Sequence, residues 1–121
     1  MKLIRYIQQR VRSFGYAFKG MATLITEQPN AQIHLLATGV VTVTGWWCGV
    51  TRLEWCVLLL CMALVWTAEA MNTALEHLTD LASPEIHPLA GKAKDVAAAA
   101  VLVAAIFAVV IAGIIFVPYF L

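Results

Sequence analysis

The segment Glu69-Ala-Met-Asn72-Thr-Ala-Leu-Glu76-His-Leu-Thr-Asp80 decides the fold, because it places acids at the end of an apolar helix. Residues 55–68, which precede it, include no charged side chain, and no Pro or Gly interrupts residues 55–81. One helix is therefore predicted to run from a hydrocarbon environment into a polar one. At about 100° per residue, the four numbered polar residues of the segment share an arc of roughly 80° on one helical face.

This acidic stripe, Glu69, Asn72, Glu76 and Asp80, needs a cationic partner. Three carboxylates and a carboxamide on one face repel each other unless a cation lies between them, and a divalent metal held by oxygen ligands fits that need. The alternative is a solvated helix end, where water hydrates the acids and they have no further role. Glu69 follows closely on apolar residues, and acids within membrane segments usually serve function, which favours the first interpretation.

The composition indicates a membrane protein. The chain has 121 residues, of which 62% are hydrophobic and only 12% are charged, so it lacks the polar shell that a soluble domain of this length requires. The three cysteines lie in or beside apolar runs without metal-type spacing and are interpreted as small core residues. A chain this short cannot form a large solvent-filled cavity alone, so an active site would require oligomerisation. Nucleic acid is not an expected partner.

The N-terminal segment is predicted to be an amphipathic surface helix over about residues 3–28. Apolar residues recur in alternating steps of three and four, at positions 4, 7, 11, 14, 18, 21 and 25. Basic side chains on the opposite side suit an anionic membrane surface, while the same pattern would also suit packing on partner helices. Pro29-Asn30 is expected to end the helix.

The remaining chain predicts three transmembrane helices, over about 31–51, 55–75 and 96–118, with a polar loop over about 79–95. Gly45 and Gly49 form a G-x-x-x-G pair, which favours close helix packing, and alanines at 100, 104, 108 and 112 form a second small-residue row. The fold class is thus an all-α membrane protein with a single domain over 1–121.

The distribution of basic residues predicts the orientation. With three spans, the N-terminal helix and the 79–95 loop share a side that holds seven of the eight Lys and Arg residues, and only Arg52 lies on the other side. Loops rich in Lys and Arg stay in the cytoplasm. The N-terminus is therefore expected on the cytoplasmic side of the membrane, with the acidic stripe facing the cytosol.

A carboxylate base, a metal site and ammonium groups beside a membrane boundary are what phosphoryl transfer to a lipid alcohol requires. Partial desolvation would make a Glu at the hydrocarbon edge a stronger base. A Walker A loop is excluded, because the glycines at 15 and 20 are followed by Met21-Ala22.

Four motifs together resemble the small bacterial membrane diacylglycerol kinase and undecaprenol kinase family. The first is Glu69-x-x-Asn72-Thr-Ala-x-Glu76-x-x-x-Asp80, followed by Ser83-Pro84-Glu85-x-His87-Pro88-Leu89-Ala90-x-Lys92-Ala93-Lys94-Asp95. The others are Phe14-Gly15-Tyr16-Ala17-x-Lys19-Gly20 and Asn30-x-x-Ile33-His34. The resemblance extends over essentially the whole chain.

The resemblance implies a homotrimer of three-span subunits that phosphorylates a lipid with ATP and Mg²⁺ at composite sites on the cytoplasmic boundary. It implies that Glu69 is the catalytic base, that Asn72 supports it, and that Ala17 and Glu69 meet the lipid. The implied nucleotide-binding residues are Tyr16, Glu76, Glu85, His87, Lys94 and Asp95. Of the other histidines, His34 and His77 are interpreted as interfacial polar anchors.

One departure concerns the metal. The family places a second metal-binding Glu at the position of Gln28, beside Glu76 as the other ligand, and here Glu27 immediately precedes that position. Either Glu27 takes over, or Gln28 offers a neutral oxygen, or the metal is held more weakly. The 87–90 loop and Ile33-His34 resemble the undecaprenol branch slightly more than the diacylglycerol branch.

Two functions from other classes were weighed against the kinase. A small multidrug-type transporter has a similar length and an intramembrane Glu, but it would need four spans and an acid midway along the first. A non-enzymatic scaffold subunit would pack through the glycine pair and the alanine row, and it would leave Glu69, Glu76, Lys94 and Asp95 without a role.

Overall fold

The structure, a computed structural model, describes residues 1–121 as four helices and no strands. They are α1 (Lys2–Glu27), α2 (Pro29–Cys48), α3 (Arg52–Ala82) and α4 (Pro88–Phe120). The all-helical fold class is confirmed, and so is the unbroken helix through the acidic stripe. The most extensive contact between two helices is that between α3 and α4, which pack along each other. α2 lies against both.

Two helices, α3 and α4, are long and apolar enough to cross a bilayer. α2 has 20 residues and includes three threonines along with Asn30, Gln32 and His34, which makes it less apolar than the other two. The first of the three predicted spans therefore stays a prediction.

The predicted polar loop over 79–95 is much shorter in the structure. α3 continues to Ala82 and α4 already begins at Pro88, so only residues 83–87 are outside helices. Proline is well placed at the first turn of a helix, where its missing N–H has no partner to lose. The His87 Nδ1 atom accepts a hydrogen bond from the Leu89 N–H at 3.1 Å and caps this turn. The breakers at Ser83-Pro84 and Pro88 therefore separate two helices instead of marking a long loop.

The two glycines of the G-x-x-x-G pair have different roles, and only Gly45 lies in a helix contact. Gly49 ends α2 in the left-handed conformation, with a φ of 66°, which glycine adopts without steric cost. Gly45 is buried, and a Cβ there would lie 2.8 Å from Trp55 Cη2. The indole of Trp55 on α3 thus packs in the space that the missing side chain of Gly45 leaves. Only residues 49–51 link the two helices, because a capping box of Thr51 and Glu54 starts α3 at Arg52.

The packed seam of α4 differs from the predicted alanine row. Its buried residues are Ala97, Val101, Ala104 and Ile115, while Ala100 is exposed. Steps of four, three and eleven residues describe this face better than strict steps of four, because an α-helix has 3.6 residues per turn. Small residues still allow the close approach of α3.

α1 lies largely uncovered. Leu24 is its one buried residue, whereas Ile4, Val11, Phe14 and Phe18 are all more than half exposed. Across the chain only 13 of 121 residues are buried, which is few for a folded protein. The apolar surface of a single chain therefore needs lipid or further protein to cover it.

Candidate active site

The acidic stripe runs from the packed interior to the exposed end of α3. Glu69 and Asn72 are 1% and 6% exposed, Glu76 is half-buried and Asp80 is exposed. Glu69 is buried because it continues the face of α3 that carries the core residues Leu58 and Val65, which lie eleven and four residues before it. One helical face therefore leads from an apolar core to solvent.

The Glu69 carboxylate meets an imidazole from α2. Glu69 Oε2 and His34 Nε2 lie 3.3 Å apart, within ion-pair distance. Neither atom makes an aligned hydrogen bond to any group, and both are buried. The interpretation of His34 as an interfacial polar anchor missed this contact, since a lone histidine in an apolar sequence gives no signal of its partner.

Asn72 connects the buried part of the stripe to the half-buried part. Its Nδ2 atom donates a hydrogen bond to Glu76 Oε1 at 3.3 Å, one helical turn further along α3. Asn72 Oδ1 is buried without a partner. The amide nitrogen of Asn72, not this oxygen, faces Glu76, so Asn72 holds a carboxylate of the kind that suits a hard cation such as Mg²⁺.

Lys94 and Asp80 form an ion pair between α4 and α3. Lys94 precedes the uncharged segment 96–121 and lies outside the predicted span. The hydrogen bond to Asp80 raises the pKa of the Lys94 ammonium, and the nearby Glu76 carboxylate adds to that increase. Lys94 is therefore charged at physiological pH, with its ammonium paired to Asp80.

A polar pocket of about 250 Å³ surrounds this ion pair. Its walls come from the end of α3, the 83–87 turn and the first turns of α4, and they include Asp80, Ser83, Glu85, His87 and Lys94. Ser83 Oγ donates a hydrogen bond to the Glu85 carbonyl at 2.9 Å, which orders the turn. Three predicted nucleotide-binding residues, Glu85, His87 and Lys94, are thus brought to one place. Asp95 is exposed and does not line the pocket.

A crevice of about 410 Å³ separates α1 from α3. Its walls include Ala17 and Gly20 on α1 and Thr73 and His77 on α3. Thr73 is buried, and its Oγ1 atom has no hydrogen-bond partner. Ala17, which the sequence assigns to the lipid, therefore borders a space one turn from Glu69, whereas Tyr16 is exposed on α1 and does not line this space.

The predicted metal ligands do not assemble within one chain. No group of three or more His, Cys, Asp or Glu side chains has a metal-ligating arrangement. Glu27 is the exposed last residue of α1, and Gln28 forms the break between α1 and α2. Within one chain, the half-buried Glu76 carboxylate is the predicted ligand that lies on the acidic stripe, and its oxygens suit a magnesium ion.

Comparisons with known proteins identify the family. The family model described as Prokaryotic diacylglycerol kinase matches residues 15–116. An undecaprenol kinase of Bacillus subtilis is 36% identical over 107 residues, covering 88% of this chain and 87% of that protein. A diacylglycerol kinase of Synechocystis is 42% identical over 110 residues, which cover 88% of this chain and 61% of that longer protein.

A diacylglycerol kinase of Escherichia coli is 31% identical over 100 residues, covering 83% of this chain and 82% of that protein. The chain belongs to the prokaryotic diacylglycerol kinase family, whose named members are lipid kinases.

Proposed function

We propose that this protein transfers the γ-phosphoryl group of ATP to the hydroxyl of a membrane lipid alcohol at the cytoplasmic face of the membrane. Undecaprenol is the acceptor that we place first and diacylglycerol the second, because the undecaprenol kinase matches over nearly its full length. The observation that carries the proposal is the buried carboxylate of Glu69, on a face of α3 that leads, about three turns further on, to a polar pocket containing Lys94.

Glu69 is the general base in this proposal. Its carboxylate accepts the proton of the lipid hydroxyl, and the lipid oxygen then forms a bond to the γ-phosphorus. The bond between that phosphorus and the β,γ-bridging oxygen breaks, and ADP leaves. A carboxylate in a largely water-free site is well suited to this task, because little solvent competes for the lipid hydroxyl. The crevice beside Ala17 gives the lipid a path to Glu69.

The nucleotide would occupy the polar pocket and the surface above it. Lys94 offers a charged ammonium to the phosphates, and Glu85 and His87 line the same pocket. Asp95 and Tyr16 would contact the nucleotide from the exposed surfaces of α4 and α1. Glu76, with Glu27 or Gln28, would hold Mg²⁺, and Asn72 keeps the Glu76 carboxylate in place through its hydrogen bond. When bound, the metal neutralises charge on the phosphates.

The complete site requires more than one subunit in this proposal. The Glu27 side chain is exposed and makes no ion pair within its own chain, and α1 leaves its apolar seam uncovered. Both observations support a homotrimer in which α1 of one subunit completes the site of another, with three spans per subunit and a cytoplasmic N-terminus. Family membership supports placement in the bacterial inner membrane, and the excess of basic residues on one side supports the cytoplasmic N-terminus.

The test is a transfer assay on purified protein in lipid micelles with labelled ATP and Mg²⁺. Undecaprenol and dioleoylglycerol are supplied in separate reactions, beside a reaction without lipid and one with EDTA. Labelled lipid phosphate that requires both the acceptor and the metal supports the proposal, and the faster acceptor identifies the branch. No transfer to either lipid from folded protein would overturn it and favour a scaffold.

A further inference from the structure

The contact between His34 and Glu69 is the starting point, because the Glu69 carboxylate is 1% exposed and lacks a hydrogen bond at Oε2. A buried carboxylate oxygen without a donor costs several kcal/mol in typical proteins, so the nearest N–H group matters. His34 Nε2 lies 3.3 Å away and has no other partner. The two buried atoms are therefore the partners with which each could form a hydrogen bond.

The imidazole of His34 is itself held by a closed set of contacts. Its ring packs edge-on against Trp66, with ring centroids 6.4 Å apart and an interplanar angle of 70°. The Trp66 Nε1–H donates to Thr38 Oγ1 at 2.9 Å, and the Thr38 hydroxyl donates to the His34 carbonyl at 2.7 Å. Two side chains therefore fix the ring relative to its own backbone.

No charged side chain among the residues lining the cavity beside His34 competes with Glu69 for the imidazole. His34 lines a cavity of about 280 Å³ between α2, α3 and α4, and the side chains of α4 in that cavity are alanines and a valine. From α3, Cys61 and Trp66 line the cavity; Glu69 does not line it, and its carboxylate is the acid that His34 contacts, at 3.3 Å. The position of His34 is therefore best explained by Glu69.

We propose that His34 is a positioning residue for Glu69, an inference that rests on the proposed role of Glu69 as general base. With a proton on Nε2, a small rotation of the imidazole aligns the N–H with Glu69 Oε2. That hydrogen bond selects one orientation of the carboxylate and leaves Oε1 to accept the proton of the lipid hydroxyl. Correct orientation of a base within about 1 Å has a large effect on rate.

The test compares His34→Gln with His34→Met in the lipid transfer assay. The Gln amide places an N–H close to the position of Nε2, whereas Met has similar bulk without a donor. For His34→Met we expect kcat to fall roughly 10- to 100-fold, with the KM for ATP unchanged within about twofold, because only the base is displaced. For His34→Gln we expect most of the rate to return. Trp66→Phe, which removes the donor to Thr38, should reduce kcat by a smaller factor.

Thr42→Val, on α2 two turns beyond His34, removes a hydroxyl that bonds only to the Thr38 carbonyl and to Met62, and it serves as the matched control. Thermal unfolding in detergent shows that each variant is folded. Equal kcat values for His34→Met and the wild type would overturn the inference, as would equal losses in the Met and Gln variants. Wild-type protein that transfers no phosphate would instead refute the proposed function, so the two failures are distinct.

Discussion

The Lys94 ammonium and the Asp80 carboxylate form an ion pair that joins the start of α4 to the end of α3. Both side chains remain partly accessible, at 41% and 65% exposure. The cation that we assign to the nucleotide phosphates is therefore already bound to an anion before a nucleotide arrives. When ATP binds, the Lys94 ammonium must exchange the Asp80 carboxylate for a phosphate group.

Asp80→Asn should strengthen nucleotide binding modestly. Exposed ion pairs contribute about 0.2–1 kcal/mol, so removing the competing carboxylate should lower the KM for ATP by at most about fivefold. Steady-state kinetics at saturating lipid measure this change, with Glu54→Gln at the opposite end of α3 as the control. A clear rise in the KM for ATP would contradict competition and assign Asp80 an orienting role instead.

Tyr119 ties the end of α4 to the beginning of α3. Its hydroxyl donates a 2.6 Å hydrogen bond to Glu54 Oε2, beyond the predicted spans of both helices. This bond, followed by the one from the Thr51 N–H, lowers the pKa of Glu54 from its ordinary value of 4.5. The same bond raises the pKa of Tyr119 above 10.0.

Tyr119→Phe should therefore lower stability in a pH-dependent way. Because the folded-state pKa of Glu54 is depressed, its contribution is present above 4.5 and is lost as the pH falls through the folded value. The wild type should unfold at a higher temperature than the variant at about pH 6, and the gap should narrow by about pH 3. A gap that stays constant over this range would show that the bond is not linked to Glu54 ionisation.

Gly45→Ala should destabilise the protein. The new methyl would overlap the Trp55 ring, and overpacking of this kind typically costs about 1–3 kcal/mol. Gly39 on the same helix has open space at its Cβ position, so Gly39→Ala should be neutral or slightly stabilising. Unfolding in detergent, followed by helical circular dichroism, measures both. Similar results for the two variants would contradict the assigned contact between Gly45 and Trp55.

Periodicity predicted the long helices well, because a 31-residue helix without Pro or Gly has few alternatives once its first half is apolar. It also placed Glu69, Asn72, Glu76 and Asp80 on one face, and the structure adds that burial decreases along that face. Local pattern alone could establish this much.

The partners across helices could not be predicted from the sequence. The contact of His34 with Glu69 and that of Gly45 with Trp55 depend on how α2 lies against α3, which local periodicity does not determine. Gly49 illustrates the same difficulty, since a glycine four residues after another fits a packing motif and a helix cap equally well. The site at Glu27 or Gln28 stays a prediction, because its completion is proposed to involve a second subunit.

Replacement of Glu69 by Gln tests the central claim most directly. Initial rates of lipid phosphorylation are measured at saturating ATP, Mg²⁺ and undecaprenol for the wild type, Glu69→Gln and the control Glu54→Gln, each shown to be folded. Loss of a general base typically lowers the rate by about 10²- to 10⁴-fold, so Glu69→Gln should lose that activity while it still binds ATP. A Glu69→Gln rate within about tenfold of the wild type would contradict the assignment of Glu69 as the catalytic base.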